Sequence, residues 1–118
     1  MLERVVKLSL ISAALVLGTL AFVGNSTSTS ASTATGAELF GAKCAMCHGR
    51  NGAGMPNWRS KGQPDFTDDG WQKAHSDTQI AESISNGKGK FMPSFKGKLS
   101  PEEINALVGQ VRTFGKKR

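Results

Sequence analysis

Apolar residues near the C-terminus recur every three or four positions, which is the spacing of one face of an α-helix. Just before them, Ser100, Pro101 and Glu103 stand in the order of an N-cap, a first helical position and a capping-box partner. Gly115 follows the last apolar residue and predicts the end of the helix. The apolar face consists of Ile104, Leu107, Val108, Val111 and Phe114. This pattern predicts a C-terminal core helix.

A second helix is predicted over residues 77–85. Ser76 and Gln79 have the spacing of a capping box at its start. Ile80 and Ile84 then lie one turn apart on the same face. The segment therefore predicts a helix with one apolar face.

The first helix is predicted over residues 37–47, which are mostly good helix formers with an acidic residue in the first turn. Leu39 and Phe40 would form its buried stripe, against the C-terminal helix. Residues 68–74 predict a short helix with acidic residues at its start. Residues 57–66 show no clear period and contain a proline, so we predict an irregular loop there.

The N-terminal residues have a different pattern. A short charged start is followed by an almost continuously apolar run over residues 8–23. This run predicts an export signal over residues 1–24, which is either removed or retained as a membrane anchor. Residues 25–35 are small and polar and predict a Ser/Thr-rich linker or cleavage region, which leaves a domain over residues 36–118. We therefore expect a periplasmic or other extracytoplasmic location.

The composition fits a small exported domain that holds a cofactor. The 118-residue chain has 15 Lys and Arg against 9 Asp and Glu, and it has only two Cys and two His. A domain of this size has a core too small to be comfortably stable alone, and no spare cysteines remain for disulfides. A large apolar cofactor in the core would supply part of the missing burial.

The candidate chemistry lies in the run Cys44-Ala45-Met46-Cys47-His48, a Cys-x-x-Cys-His motif typical of c-type haem attachment. Two thiols at this spacing can form thioether links to the two vinyl groups of one porphyrin edge. The adjoining imidazole of His48 can then bind the iron as its proximal ligand. The motif therefore predicts one covalently bound haem c with its iron.

Other interpretations of the motif explain fewer of its residues. A disulfide between Cys44 and Cys47 is compatible with export but leaves His48 without a role. A structural zinc site needs about four ligands, and the whole chain has only two Cys and two His. A thioredoxin-like redox pair is expected near a βαβ pattern, which the sequence does not show.

Met92 is the candidate for the sixth iron ligand. It lies in a loop by composition, residues 88–98, from which the chain can return to the opposite face of the iron. A thioether ligand there favours ferrous iron and raises the reduction potential. The competing side chains are Met46, Met55 and His75, and an open sixth position is the further alternative.

The resemblance of the whole pattern is to class I cytochrome c. It rests on Gly36…Phe40, Cys44-x-x-Cys47-His48-Gly49, the glycine-rich loop to Pro56, Gly87-x-Gly89-x-x-Met92-Pro93, and the closing Leu107-Val108-x-x-Val111-Arg112 helix. It extends from residue 35 to the C-terminus and is greatest to the small bacterial single-haem domains. The resemblance implies an all-α fold in which three to five short helices surround one covalently bound haem and the first and last helices cross.

The same resemblance implies the roles of the site residues. Cys44 and Cys47 would form the thioethers, and His48 and Met92 would be the axial ligands. The carbonyl of Pro56 would accept the second N–H of His48, although from spacing alone Pro56 is equally well an ordinary turn residue. One departure is Trp58, which stands where the family often has a leucine packed on the haem.

These residues predict a single-haem electron carrier outside the cytoplasmic membrane, and not an enzyme. Lysines around Met92 predict docking to acidic patches on redox-partner proteins, with no nucleic-acid partner and with membrane contact only through a retained N-terminal anchor. The alternative is a haem enzyme or gas sensor with an open or labile sixth position, for which His75 is the only distal histidine. The lysines are Lys88, Lys90, Lys96 and Lys98.

Overall fold

The computed structural model describes residues 33–116, and all regular structure within them is helical. Two isolated backbone bridges join residues of the loops, and no strand occurs in this part of the chain. The all-α prediction is confirmed, with one helix more than the upper end of the expected range. The helices are α1 (Gly36–Lys43), α2 (Ala45–His48), α3 (Pro56–Arg59), α4 (Asp69–Ala74), α5 (Asp77–Asn86) and α6 (Pro101–Gly115).

The predicted export signal over residues 1–24 lies outside the described residues, as does most of the predicted linker. Within residues 33–116, no helix combines the length and the apolar character that a membrane crossing requires.

The first and last helices of the domain pack closely against each other, as the resemblance implied. A Cβ atom placed on Gly36 would lie 2.1 Å from the carbonyl oxygen of Ala106, so only a glycine permits this approach of α1 to α6. Further along α1, Phe40 is buried and its ring centroid lies 4.9 Å from that of Phe114 on α6. The buried core comprises Leu39, Phe40, Phe66, Ile80, Ile84, Leu99, Leu107, Val108, Val111 and Phe114.

Both predicted capping boxes are present. The side chain of Ser100 accepts the N–H of Glu103 while the Glu103 carboxylate accepts the N–H of Ser100, and the same exchange joins Ser76 and Gln79. A third capping box, formed by Thr35 with Glu38, begins α1. Thr35, placed in the linker by its composition, is thus the N-cap of α1, and Ala34 before it packs against the core.

The predicted continuous helix over residues 37–47 is wrong, because the chain bends at Cys44. This residue ends α1 and precedes α2, with φ −119° and ψ −34°. Its N–H still bonds the carbonyl of Phe40, and its own carbonyl accepts the N–H of His48. The good helix formers in this stretch gave no indication of a break. In the structure, the break at Cys44 separates α1, which packs in the core, from α2, which carries Cys47 and His48.

The predicted irregular loop over residues 57–66 is also wrong in its first half. Met55 is extended, and Pro56 occupies the first turn of the four-residue helix α3. Proline suits this place because it has no N–H to leave unpaired and its φ angle is already helical. The one-turn helix carries Trp58 toward the site described next.

Candidate haem-binding site

A cleft of about 330 Å³ brings together the predicted haem ligands. One side of it is formed by the end of α1 and by α2, which supply Cys44, Cys47 and His48. Another side is the loop after α5, which supplies Met92. The volume lies at the lower end of the range for cofactor sites. Residues that are 44 positions apart in the sequence therefore line one cavity.

The two cysteines are free thiols, each half-buried. Burial raises the pKa of the Cys44 thiol to about 11, so this thiol is protonated at neutral pH. No disulfide joins them, and within residues 33–116 no three His, Cys, Asp or Glu side chains are close enough to share a metal ion. The geometry thus supports neither the disulfide nor the zinc interpretation of the motif.

His48 is held as a neutral imidazole. Its Nδ1 atom is buried and has no hydrogen-bond partner, and desolvation by burial lowers the pKa of the ring. The neutral form is the one that binds a metal. The ring of Phe66 lies 4.7 Å away at an angle of 16°, so it stacks on the imidazole. A neutral imidazole in the lining of a cleft that also holds two thiols and a thioether fits a covalently held haem iron.

Pro56 does not occupy the position expected of it. It begins α3, it is not among the residues that line the cleft, and the unpaired Nδ1 of His48 shows that its carbonyl does not accept that group. Pro64, eight positions later, does line the cleft. The next apolar residue, Phe66, packs on His48. The sequence offered no signal to choose between the two prolines.

Met92 is fixed in the cleft by its own backbone. Its N–H donates to the carbonyl of Lys88, and its carbonyl accepts the N–H of Lys88, which closes a tight loop. Gly87 has a φ of +76°, and a Cβ there would lie 2.6 Å from the carbonyl oxygen of Met92. None of the competing sixth ligands lines the cleft: Met46 is 86% exposed, Met55 is 42% exposed, and His75 packs against Trp71 instead.

The mouth of the cleft combines aromatic rings with positive charge. Lys61 places its Nζ 4.5 Å from the ring centroid of Trp58 and 4.9 Å from that of Phe91, while the two rings meet edge to face. The cation therefore lies against both rings, and sequence reasoning missed it because the contact joins α3 to the Met92 loop.

The charged residues that line the cleft are all lysines. Of the four lysines expected near Met92, Lys88 and Lys90 line the cleft, whereas Lys96 and Lys98 do not. Lys43 and Lys61 complete the set, and no acidic side chain belongs to the lining.

Comparisons with known proteins agree with this geometry. The family model described as "Cytochrome C oxidase, cbb3-type, subunit III" matches residues 31–109. The chain is 42% identical over 80 residues to the cbb3-type cytochrome c oxidase subunit FixP of Azorhizobium caulinodans, a match that covers 68% of this chain and 26% of that protein. The chain thus spans about a quarter of the length of that subunit.

Two further relatives are similar in size to the folded domain. Cytochrome c6 of Anabaena variabilis is 38% identical over 82 residues, covering 69% of this chain and 90% of that protein. The solved structure of the KustC0563 c-type cytochrome aligns with a TM-score of 0.65 and 40% identity, covering 69% of this chain and 98% of that chain.

Proposed function

Because this chain belongs to the class I cytochrome c family and carries a covalently bound haem c, we propose that it is a single-haem electron carrier in which His48 and Met92 ligate the iron. The bound haem supplies a one-electron Fe(III)/Fe(II) couple. The observation that supports the ligand assignment is the cleft itself, which His48 and Met92 line together with both cysteines.

Each proposed ligand has a role that its surroundings support. Cys44 and Cys47 tether the porphyrin edge through thioether bonds. His48, half-buried and with a lowered pKa, provides the strong nitrogen donor. Met92 provides a weaker sulfur donor that stabilises ferrous iron and raises the potential. Because both axial side chains are held by packing and by backbone hydrogen bonds, the ligands stay in place as the electron arrives and leaves.

The lysines of the cleft support a proposal about partners. Four positive side chains and no acidic one line the cleft, so the electrostatic field near it favours negative surfaces. We therefore propose that redox partners present acidic patches there. The similarity to a cbb3-type oxidase subunit makes a haem-containing oxidase one such partner class. An extracytoplasmic location is part of the same proposal and rests on residues 1–35.

The test is the absorption spectrum of the exported protein in both oxidation states. The expected result is a low-spin c-type spectrum with the weak long-wavelength ferric band of a thioether ligand. Met92→Ala should abolish that band. Met55→Ala is the matched control, because Met55 is partly exposed and does not line the cleft, and it should keep the band. Persistence of the band in Met92→Ala would contradict the assignment.

The same measurement separates the electron carrier from a haem enzyme or gas sensor. An open sixth position would give a high-spin spectrum that changes on addition of carbon monoxide. His75, the histidine on which this alternative relied, does not line the cleft, which supports the electron carrier. We therefore expect the wild-type protein to bind carbon monoxide poorly.

A further inference from the structure

Arg112 on α6 is partly buried and connects three helices. Its side chain is 24% exposed and donates four hydrogen bonds. Nε bonds the carboxylate of Asp77 at the start of α5, and Nη2 bonds the carbonyl of His75 at 2.6 Å. Nη1 bonds both the main-chain and the side-chain oxygen of Gln72 on α4, at 2.7 and 2.8 Å. A guanidinium with a fixed fork of donors is suited to such a position.

Gln72 links Arg112 by hydrogen bonds to the segment that contacts His48. Because Arg112 occupies the side-chain oxygen of Gln72, the amide nitrogen must point the other way. That nitrogen donates to the carbonyl of Phe66 at 2.7 Å and to the carbonyl of Val111 at 3.0 Å. Gln72 also fills the space beside Gly115, where a Cβ would lie 2.8 Å from it.

Both the N–H and the carbonyl of Phe66 are consequently held by hydrogen bonds. Its N–H donates to the carbonyl of Gly52 at 2.9 Å, and its carbonyl accepts from Gln72. Its ring is buried and lies 4.7 Å from the imidazole of His48, with 16° between the planes. A parallel ring at this distance restricts rotation of the imidazole and keeps water from the buried Nδ1.

We propose that Gln72 and Arg112 are positioning residues for the axial histidine: they hold Phe66 against His48 and thereby set the orientation and the dry surroundings of the imidazole. This inference rests on the proposed role of His48 as an iron ligand. Groups one shell away from a metal commonly fix ligand orientation and tune the metal. Here the chain of contacts runs through a hydrogen-bonded amide and an aromatic ring.

Loss of this support should change the reduction potential in one direction only. Ferric haem carries one more positive charge than ferrous haem, so a dry site disfavours the ferric form. Water admitted beside Nδ1 would also accept its proton in a hydrogen bond and strengthen the imidazole as a donor, which favours ferric iron further. Both effects lower the reduction potential.

The experiment compares Gln72→Met and Arg112→Lys with wild-type holoprotein. Methionine keeps the size of glutamine but cannot make its hydrogen bonds. Lysine keeps the charge of arginine but lacks the planar set of N–H donors. Neither variant therefore changes the net charge near the haem. The control is Thr113→Val, which removes a 2.6 Å hydrogen bond to the carbonyl of Gln110 on the same helix, a bond that does not touch this network. The readouts are the reduction potential and the low-spin ferric electron paramagnetic resonance spectrum.

We expect both network variants to shift the potential downward and to change the resonance spectrum, whereas Thr113→Val should lower thermal stability alone. Unchanged potential and spectrum in Arg112→Lys would overturn the proposal even if Gln72→Met did not fold. Equal shifts in Thr113→Val would also overturn it, since they would reflect general loss of stability. A wild-type spectrum without low-spin haem would instead contradict the proposed function.

Discussion

The ring of Phe66 lies almost parallel to the imidazole of His48, with 4.7 Å between the ring centroids and 16° between the planes. Phe66 also packs against Trp71, with 4.8 Å between the ring centroids, and it is part of the buried core. The candidate ligand and the hydrophobic core therefore share a residue, so that a change at Phe66 acts on both.

Phe66→Ala should lower the free energy of unfolding by about 3–5 kcal/mol, the usual cost of truncating a buried phenylalanine. The matched control is Phe91→Ala, because Phe91 is 55% exposed and its loss should cost about 1 kcal/mol or less. Denaturant unfolding of the holoprotein measures both. Equal costs would show that Phe66 is not packed as the structure has it.

Gly36→Ala should separate α1 from α6, because the new methyl group would lie 2.1 Å from the carbonyl oxygen of Ala106. We expect a loss of about 1–3 kcal/mol, as for other overpacked contacts. Gly41→Ala in the same helix meets no atom within 4 Å and should stabilise the protein by about 0.5–1 kcal/mol through helix propensity. Thermal unfolding of the two variants should therefore move in opposite directions.

Gly87→Ala should disturb the Met92 loop more than Gly89→Ala does. Both glycines have a positive φ, so each substitution costs about 1–2 kcal/mol of backbone strain. Only the Cβ at position 87 would approach the backbone of Met92, at 2.6 Å from its carbonyl oxygen. The ferric thioether band should weaken in Gly87→Ala and persist in Gly89→Ala. Identical spectra would mean that the turn at Gly87 does not position the ligand.

Asp65→Asn should reduce stability in a pH-dependent way. Burial alone would raise the pKa of this carboxyl, but hydrogen bonds from Thr67 and the nearby guanidinium of Arg59 outweigh burial and hold the pKa below its usual range. A depressed pKa means that the folded state favours the carboxylate. The contribution of Asp65 to the free energy of unfolding is therefore fully present above the pKa of the unfolded chain and is lost as the pH falls through the lower pKa of the folded state. The free energy of unfolding of the wild type should exceed that of Asp65→Asn by about 1 kcal/mol at neutral pH, and this difference should vanish at acidic pH. A pH-independent difference between the two proteins would contradict this account.

Neutralising Lys88 and Lys90 together should slow electron transfer with an acidic redox partner by about tenfold at low salt, because steering by surface charge acts on the association rate. The rate of the wild-type protein should fall as the ionic strength rises. Lys73→Gln on α4 is the control, since Lys73 does not line the cleft. Stopped-flow kinetics over a range of salt concentrations would test this, and rates insensitive to salt would rule out the steering.

Local sequence signals predicted the parts of the fold that local contacts determine. The capping boxes at Ser76 and Ser100 and the ends of α5 and α6 agree closely with the structure, because each depends on residues within one or two turns. The break at Cys44 was missed, since good helix formers surround it. Thr35 was missed for another reason: its Ser/Thr-rich neighbours concealed a cap.

The candidate site was predictable as a set of residues but not as an arrangement. Cys44, Cys47 and His48 form a motif that is visible in sequence, and Met92 followed from ligand type and position. The place of Phe66 beside His48 depends on a loop held by contacts distant in sequence, with Gly52, α4 and α6. No pattern within the loop distinguishes such a residue from an ordinary apolar one.

The crossing of α1 and α6 joins the two ends of the domain, so its native contacts have a large sequence separation. Closing a loop of this length costs on the order of 4 kcal/mol of chain entropy, and such contacts slow folding. Cys44 directly follows α1, and in the folded domain its thiol is half-buried with a pKa of about 11. The half-burial of that thiol is a property of the folded domain, so the unfolded chain leaves the thiol open to solvent. We therefore expect Cys44 to be modified more readily before the domain has closed than afterwards.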